Sequence, residues 1–198
     1  MTCHAVYELR NYRLHPGARD DLIALFEREF VESQESQGIR IVATFRDLGH
    51  PDRFVWIRSF PDMDRRLAAL TAFYTGPVWR AHRAAANATM IDSDDVLLLK
   101  PAAGRLTLPA TRPARAAHED AEEIFRAAIY PPGPIPAVLD ARQAVFVTEP
   151  GPNTFPRLPV RDVNVRVVFG PETVREPAGL PPPQQMLRLR PTARSLLR

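Results

Sequence analysis

Apolar and polar positions alternate from Ala5 to Leu14, where Val6, Tyr7, Leu9 and Tyr12 sit among polar neighbours, and this predicts a strand ended by Pro16-Gly17. The period then changes. Leu22, Ile23, Leu25, Phe26, Phe30 and Val31 recur at helical spacing across Ala18 to Gln37, with acids and arginines on the opposite face. Asp20 and Asp21 suit the positive end of that helix, and Gly38 is placed to end it. Arg40 to Leu48 and Arg53 to Phe60 read as two strands of a hairpin around Gly49-His50-Pro51-Asp52. In the second, Phe54, Trp56, Arg58 and Phe60 share one face while Val55, Ile57 and Ser59 share the other. Two largely apolar faces predict a strand covered on both sides. Pro61-Asp62 opens a second helix, with Asp62 as N-cap and Met63, Leu67, Leu70, Phe73 and Tyr74 as its stripe. Thr75-Gly76-Pro77 interrupts it before a further helical stretch, Val78 to Asn87, with Trp79, His82 and Arg83. A last strand runs from Ile91 to Lys100 and is expected to stop at Pro101.

This order predicts a ferredoxin-like β-α-β-β-α-β module over residues 1–100. Beyond it the pattern thins. Of the 21 prolines, 17 lie after residue 100. Residues 101–117 read as a linker, and residues 118–198 offer strands at Glu122–Tyr130, Gln143–Thr148, Asp162–Phe169 and Gln184–Arg190. Proline runs at 131–136 and 181–183 stand where helices would complete a second module, and proline at that density forbids long helices. The fold class is therefore α+β: one ferredoxin-like module and a degenerate, helix-poor second one, with the two sheets packing into a pseudo-symmetric barrel. The outer face of the second sheet is expected to stay open to water, since Asp162, Asn164 and Arg166 alternate with Val163, Val165, Val167 and Phe169.

Composition narrows the function classes. The formal net charge is +3, but Lys100 is the only lysine and the arginines are dispersed among acids, so no basic stripe for nucleic acid emerges. No apolar run nears the roughly 20 residues that span a bilayer. The chain enters a strand pattern directly after Met1-Thr2-Cys3-His4, which predicts no signal peptide, and a lone Cys3 fits a reducing cytoplasm. Neither a glycine-rich phosphate loop nor a G-x-S-x-G elbow occurs. Asp92-Ser93-Asp94-Asp95 and the scattered His4, His15, His50 and His118 lack metal-ligand spacing, so no metal is expected. Arg188, Arg190, Arg194 and Arg198 read as an exposed basic tail.

Tyr7-Glu8-Leu9-Arg10-Asn11-Tyr12 with Leu14, Pro16 and Gly17, then Trp56, Arg65 or Arg66, and Gly76-Pro77-Val78-Trp79, resemble the NIPSNAP family of the dimeric α/β-barrel superfamily. The resemblance covers about half the chain; residues 118–198 are similar, more loosely, to the second module of two-module members. It implies sheets paired into a barrel, within one chain or between chains. By analogy of fold alone it extends to cofactor-free monooxygenases and to haem-degrading monooxygenases, which use an asparagine, a tryptophan and a histidine on elements comparable to those of Asn11, Trp56 or Trp79, and His82.

The candidate pocket residues are thus Tyr7, Asn11, Trp56, Arg58, Tyr74, Trp79 and His82; no catalytic residue is assigned. Tyr7, Asn11, Trp56, Arg58 and Tyr74 would line an aromatic pocket and steady a substrate anion by hydrogen bonding and charge. The plainer reading makes Trp56 and Tyr7 core aromatics and pairs Trp79 with His82 as packing on one helix face. The leading functional expectation is a barrel that binds a small hydrophobic or aromatic molecule without a cofactor, extending to a cofactor-free monooxygenase or an isomerase-like accessory enzyme of bacterial metabolism. Its alternative is a non-catalytic dimer or assembly module with a closed core; a haem-binding or haem-degrading protein is the lesser alternative. A homo-oligomer is compatible with each.

Overall fold

The computed structural model describes residues 4–198; Met1, Thr2 and Cys3, with the reading of the lone thiol, lie outside the described residues. The elements are β1 (Val6–Leu14), α1 (Arg19–Leu25), a π-helical turn (Phe26–Phe30), α2 (Val31–Glu35), β2 (Arg40–Asp47), β3 (Arg53–Phe60), α3 (Met63–Thr75), α4 (Pro77–Thr89), β4 (Met90–Asp92), β5 (Val96–Gly104), β6 (Phe125–Tyr130), β7 (Ala144–Thr148), β8 (Arg166–Pro171) and β9 (Gln185–Pro191). The strands run β3-β2-β9-β6-β8-β7-β5-β1, and a β1–β3 pairing closes the ring, with the short β4 appended to β1. Every pairing is antiparallel, so the architecture is a closed eight-stranded barrel. The first half contributes β5-β1-β3-β2 and the second β9-β6-β8-β7, which join at β2–β9 and β5–β7.

Side-chain alternation sorts each strand between two cores. Leu9, Phe45, Val55, Ile57, Leu97 and Leu99 from the first half meet Phe125, Phe146, Val167, Phe169, Leu187 and Leu189 inside the barrel. The lumen is filled with rings: Phe125 stacks on Phe169 at 5.6 Å, Phe45 lies 6.0 Å from Phe169, and Tyr7 lies 5.0 Å from Phe146. Outside, Tyr12, Phe54, Trp56 and Phe60 pack under Leu22, Phe26, Phe30, Leu70 and Phe73 of the helices. Both faces of β3 are covered, as its two apolar faces require.

Within the first helical stretch the structure departs from one continuous α-helix. The Val31 N–H reaches back to the Phe26 carbonyl, a five-residue spacing that inserts a π turn. Phe26 and Phe30 are both buried, and their rings meet edge to face at 6.0 Å. Gly38 ends the stretch with φ +85, a left-handed conformation in which glycine avoids the Cβ clash. Asp62 caps α3 by accepting the Arg65 N–H at 2.6 Å.

Three expectations need correction. Pro101 does not stop the last strand of the first half: β5 continues to Gly104, because the missing N–H falls at a register shift in the β5–β7 ladder between Pro101 and Ala103. Nor does the outer face of the second sheet stay open. Ala128, Tyr130, Val145 and Val168 form a buried cluster beneath Leu139 and Leu180, so proline-rich coil does the covering that helices do elsewhere. Arg166, expected in water, is buried; its guanidinium donates to the Pro134 carbonyl and lies over the Tyr130 ring at 5.5 Å. Finally, Arg188, Arg190 and Arg198 are exposed as expected, but the segment after β9 is no free tail. Thr192 shares a 2.6 Å hydrogen bond with Thr44, the Leu197 N–H donates to the Val42 carbonyl at 3.0 Å, and Arg194 is buried against Glu27 and Glu32. Among the described residues no helix is long and apolar enough to cross a membrane.

Candidate functional site

The strand β1 presents Tyr7, Leu9 and Asn11 to the lumen and Glu8, Arg10 and Tyr12 to the helical layer. This divides the sequence-predicted pocket residues. Tyr7 and Asn11 lie on the inner side, where the Asn11 amide donates to Asp95 Oδ2 at 2.9 Å. Trp56 and Arg58 lie on the outer side of β3, and Tyr74 and Trp79 face them from α3 and α4. Asn11 and Arg58 therefore lie on opposite sides of the sheet. His82 is half-exposed on α4, with Nε2 3.6 Å from Glu29 Oε2 and its ring 6.4 Å from Phe30.

Beneath the helices sits a charge cluster that the sequence reading did not assemble. Glu8 is wholly buried and accepts from Arg10 Nη1 at 2.5 Å, Arg58 Nε at 2.8 Å and Arg66 Nε at 2.7 Å. Burial by itself pushes the Glu8 carboxyl up, but the charges of Arg58, Arg10 and Arg66 together outweigh it and hold the group well below the usual carboxylate range. Three guanidiniums face one carboxylate, so the cluster carries excess positive charge in a dry layer. Arg58 Nη1 also donates to Gln34 Oε1 at 3.2 Å, and Gln34 donates to the Phe30 carbonyl at 3.1 Å, which ties the cluster to the π turn. Arg66 Nη1 reaches the second half through Asn153 Oδ1 at 3.0 Å. Among the described residues Trp56 Nε1 and Arg66 Nη2 are buried without a hydrogen-bond partner. The legible signal was the alternation of Glu8, Arg10 and Tyr12 on a strand whose other face is apolar.

Arg10 links this cluster to an open cleft. Its Nε donates to the Tyr12 hydroxyl at 2.9 Å, and its guanidinium lies 5.4 Å from the Tyr12 ring and 5.5 Å from Trp56. Tyr12 lines a cleft of about 310 Å³ between α3, α4 and the segment following β7, with Tyr74, Trp79, Met90 and Phe155 as further walls and Arg83, Asn87 and Arg157 at the rim. Tyr74 meets Trp79 edge to face at 4.8 Å and stacks on Phe155 at 5.9 Å. Among the described residues Arg83 and Arg157 have no ion-pair partner. A smaller cavity of about 40 Å³ lies behind, sharing Tyr12, Tyr74, Trp79 and Met90 with the cleft and reaching Trp56 and Gln34. Burial holds the Tyr12 hydroxyl above the ordinary tyrosine value despite the neighbouring Arg10 charge, so it stays protonated at neutral pH.

The comparisons with known proteins follow this division of the chain. The NIPSNAP family model matches residues 7–104. No protein of curated function matches. Among solved structures, a NIPSNAP family protein of unknown function from Agrobacterium tumefaciens is 27% identical over 50% of this chain and 89% of its own, with a TM-score of 0.46. A NIPSNAP-like domain protein from Burkholderia xenovorans is 22% identical over 54% and 92%, with a TM-score of 0.48. A protein from Chloroflexus aurantiacus named for antibiotic biosynthesis monooxygenases is 22% identical over 51% and 97%, with a TM-score of 0.41.

Proposed function

Residues 7–104 belong to the NIPSNAP family, and from that premise we propose that the chain binds a small planar aromatic molecule bearing an anionic group in the cleft between α3, α4 and the segment after β7. One observation carries the reading: a concave site of about 310 Å³ has aromatic walls and, at its rim, two arginines with no ion-pair partner among the described residues. That volume is at the lower end of small-ligand sites. Tyr74, Trp79 and Phe155 offer ring faces and edges to a flat apolar body, while Arg83 and Arg157 attract its charge.

The finer reading, a cofactor-free oxygenase, needs a substrate that reacts as its anion. The cleft lining includes neither a carboxylate nor a histidine, so the site supports holding an anion better than making one by proton abstraction. A specific observation favours the other reading as well. The barrel lumen is filled by its own aromatic side chains, as a closed-core assembly module requires.

Titration of 2-naphthoate, followed by tryptophan fluorescence, separates the two readings because Trp79 lines the cleft and Trp56 the cavity behind it. Saturable quenching is expected, and an Arg83→Ala/Arg157→Ala double variant should bind roughly tenfold more weakly, about 1.4 kcal/mol. Absence of saturation at millimolar naphthoate, or equal affinity in the double variant, would reject the cleft as a binding site in favour of the closed-core module.

A further inference from the structure

The Tyr12 hydroxyl is half used. It accepts the Arg10 Nε–H at 2.9 Å, and no described group accepts its own proton. A buried hydroxyl that leaves its proton unplaced loses stability, and here Tyr12 lines both the cleft and the cavity of about 40 Å³ behind it. That space exceeds the ~10–15 Å³ needed to hold a water-sized group. The surroundings are cationic. Arg10 from β1 and Arg58 from β3 lie behind the ring with Glu8 between them, Arg66 lies beyond, Tyr74 faces it from α3, and Arg83 and Arg157 stand at the rim from α4 and the segment after β7. Trp56 Nε1, a second buried donor without a partner, belongs to a residue lining the same cavity.

We infer that the Tyr12 hydroxyl, polarised by Arg10, is the oxyanion donor of this site, and that the cleft selects a planar ligand whose phenol- or enol-type oxygen is held as its anion. The inference rests on the cleft reading above and adds to it the chemical class of ligand. A single hydroxyl donor matches a single-oxygen anion, whereas a carboxylate calls for the forked donors that the rim arginines supply. A fixed donor backed by excess positive charge stabilises the charged form of a bound acid over its neutral form. Tyr12 is thus a specificity-determining residue.

The test uses the full chain with 4-nitrophenol, whose phenolate absorbs in the visible, and 4-nitroanisole, which cannot ionise. Bound nitrophenol should titrate about one pH unit below free nitrophenol, a tenfold preference for the phenolate. Tyr12→Phe should abolish that difference while binding neutral nitrophenol within about twofold of wild type, the ring and its packing being retained. Nitroanisole should bind the wild type with no pH dependence over the same range, and the Arg83→Ala/Arg157→Ala variant should keep the shifted midpoint; loss of the shift in that variant assigns it to the rim arginines and overturns the role of Tyr12 even where Tyr12→Phe fails to fold. An unshifted midpoint in the wild type, or a shift that survives in Tyr12→Phe, overturns the role of Tyr12; continued 2-naphthoate binding then leaves the cleft standing. Failure of naphthoate and both nitro compounds to bind overturns the two together.

Discussion

Replacing Glu8 with alanine is expected to destabilise the chain by about 3–5 kcal/mol, the range for removing one partner of a buried ionic group. The magnitude follows from what is left behind. Arg10, Arg58 and Arg66 are each no more than 1% exposed, and all three donate to the two Glu8 oxygens. Without the carboxylate, three guanidiniums repel one another in a layer that water does not reach. Glu8→Gln should lose nearly as much, because the amide keeps the shape and removes the charge. The same linkage sets an acid limit. The Glu8 carboxyl titrates below its ordinary value in the folded chain, so its contribution is full above the unfolded value near 4.5 and is lost as pH falls through the folded value. Urea unfolding between pH 7 and pH 3 checks both statements. A loss under about 1 kcal/mol in Glu8→Ala, or a variant with the wild-type acid slope, would show that the cluster is solvated or held by other means.

Excising the second half is expected to have a still larger effect: residues 1–104 should not persist as a stable monomer. In the intact chain Leu9, Phe45, Val55, Ile57, Leu97 and Leu99 are all buried in the lumen. They meet Phe125, Phe146, Phe169 and Leu187, none of which the fragment contains. The cut also frees β2, which pairs with β9, and β5, which pairs with β7. An apolar face between two open edges invites either aggregation or a second copy of the fragment. Size-exclusion chromatography with light scattering distinguishes these from a cooperatively folding monomer, and the last result would mean that the barrel interface contributes little.

The fold was legible where period and punctuation agree. Ala5 to Leu14, Arg53 to Phe60 and the paired helices around Gly76-Pro77 fall within a residue or two of their observed bounds. The four strands of the second half were also visible, because short β-branched runs stand out between prolines. What the pattern could not carry was the covering of that sheet. Proline argues against helix but says nothing against coil that packs, and Leu139, Leu180 and the buried Arg166 do pack. The candidate site was legible only in part. Tyr74 and Trp79 do face one cleft, whereas Asn11 and Tyr7 sit across the sheet from Trp56 and Arg58. Alternation assigns residues of one strand to two sides; it does not say which side of one strand shares a cavity with which side of another. Arg157 and Phe155 were out of reach for a different reason, since they come from a long coil whose path no local pattern encodes.

That coil points to what a barrel built within one chain allows. A barrel of two identical chains must repeat every loop, so any change that improves one site is copied into the other. Here the second and third strands of the first half are joined by residues 48–52, while their counterparts β7 and β8 are joined by residues 149–165. The longer connection reaches over to Arg66 and Tyr74 and supplies a wall of the cleft. The two halves of this one chain are therefore unlike: one carries the helices that frame the cleft, and the other supplies the coil that walls it.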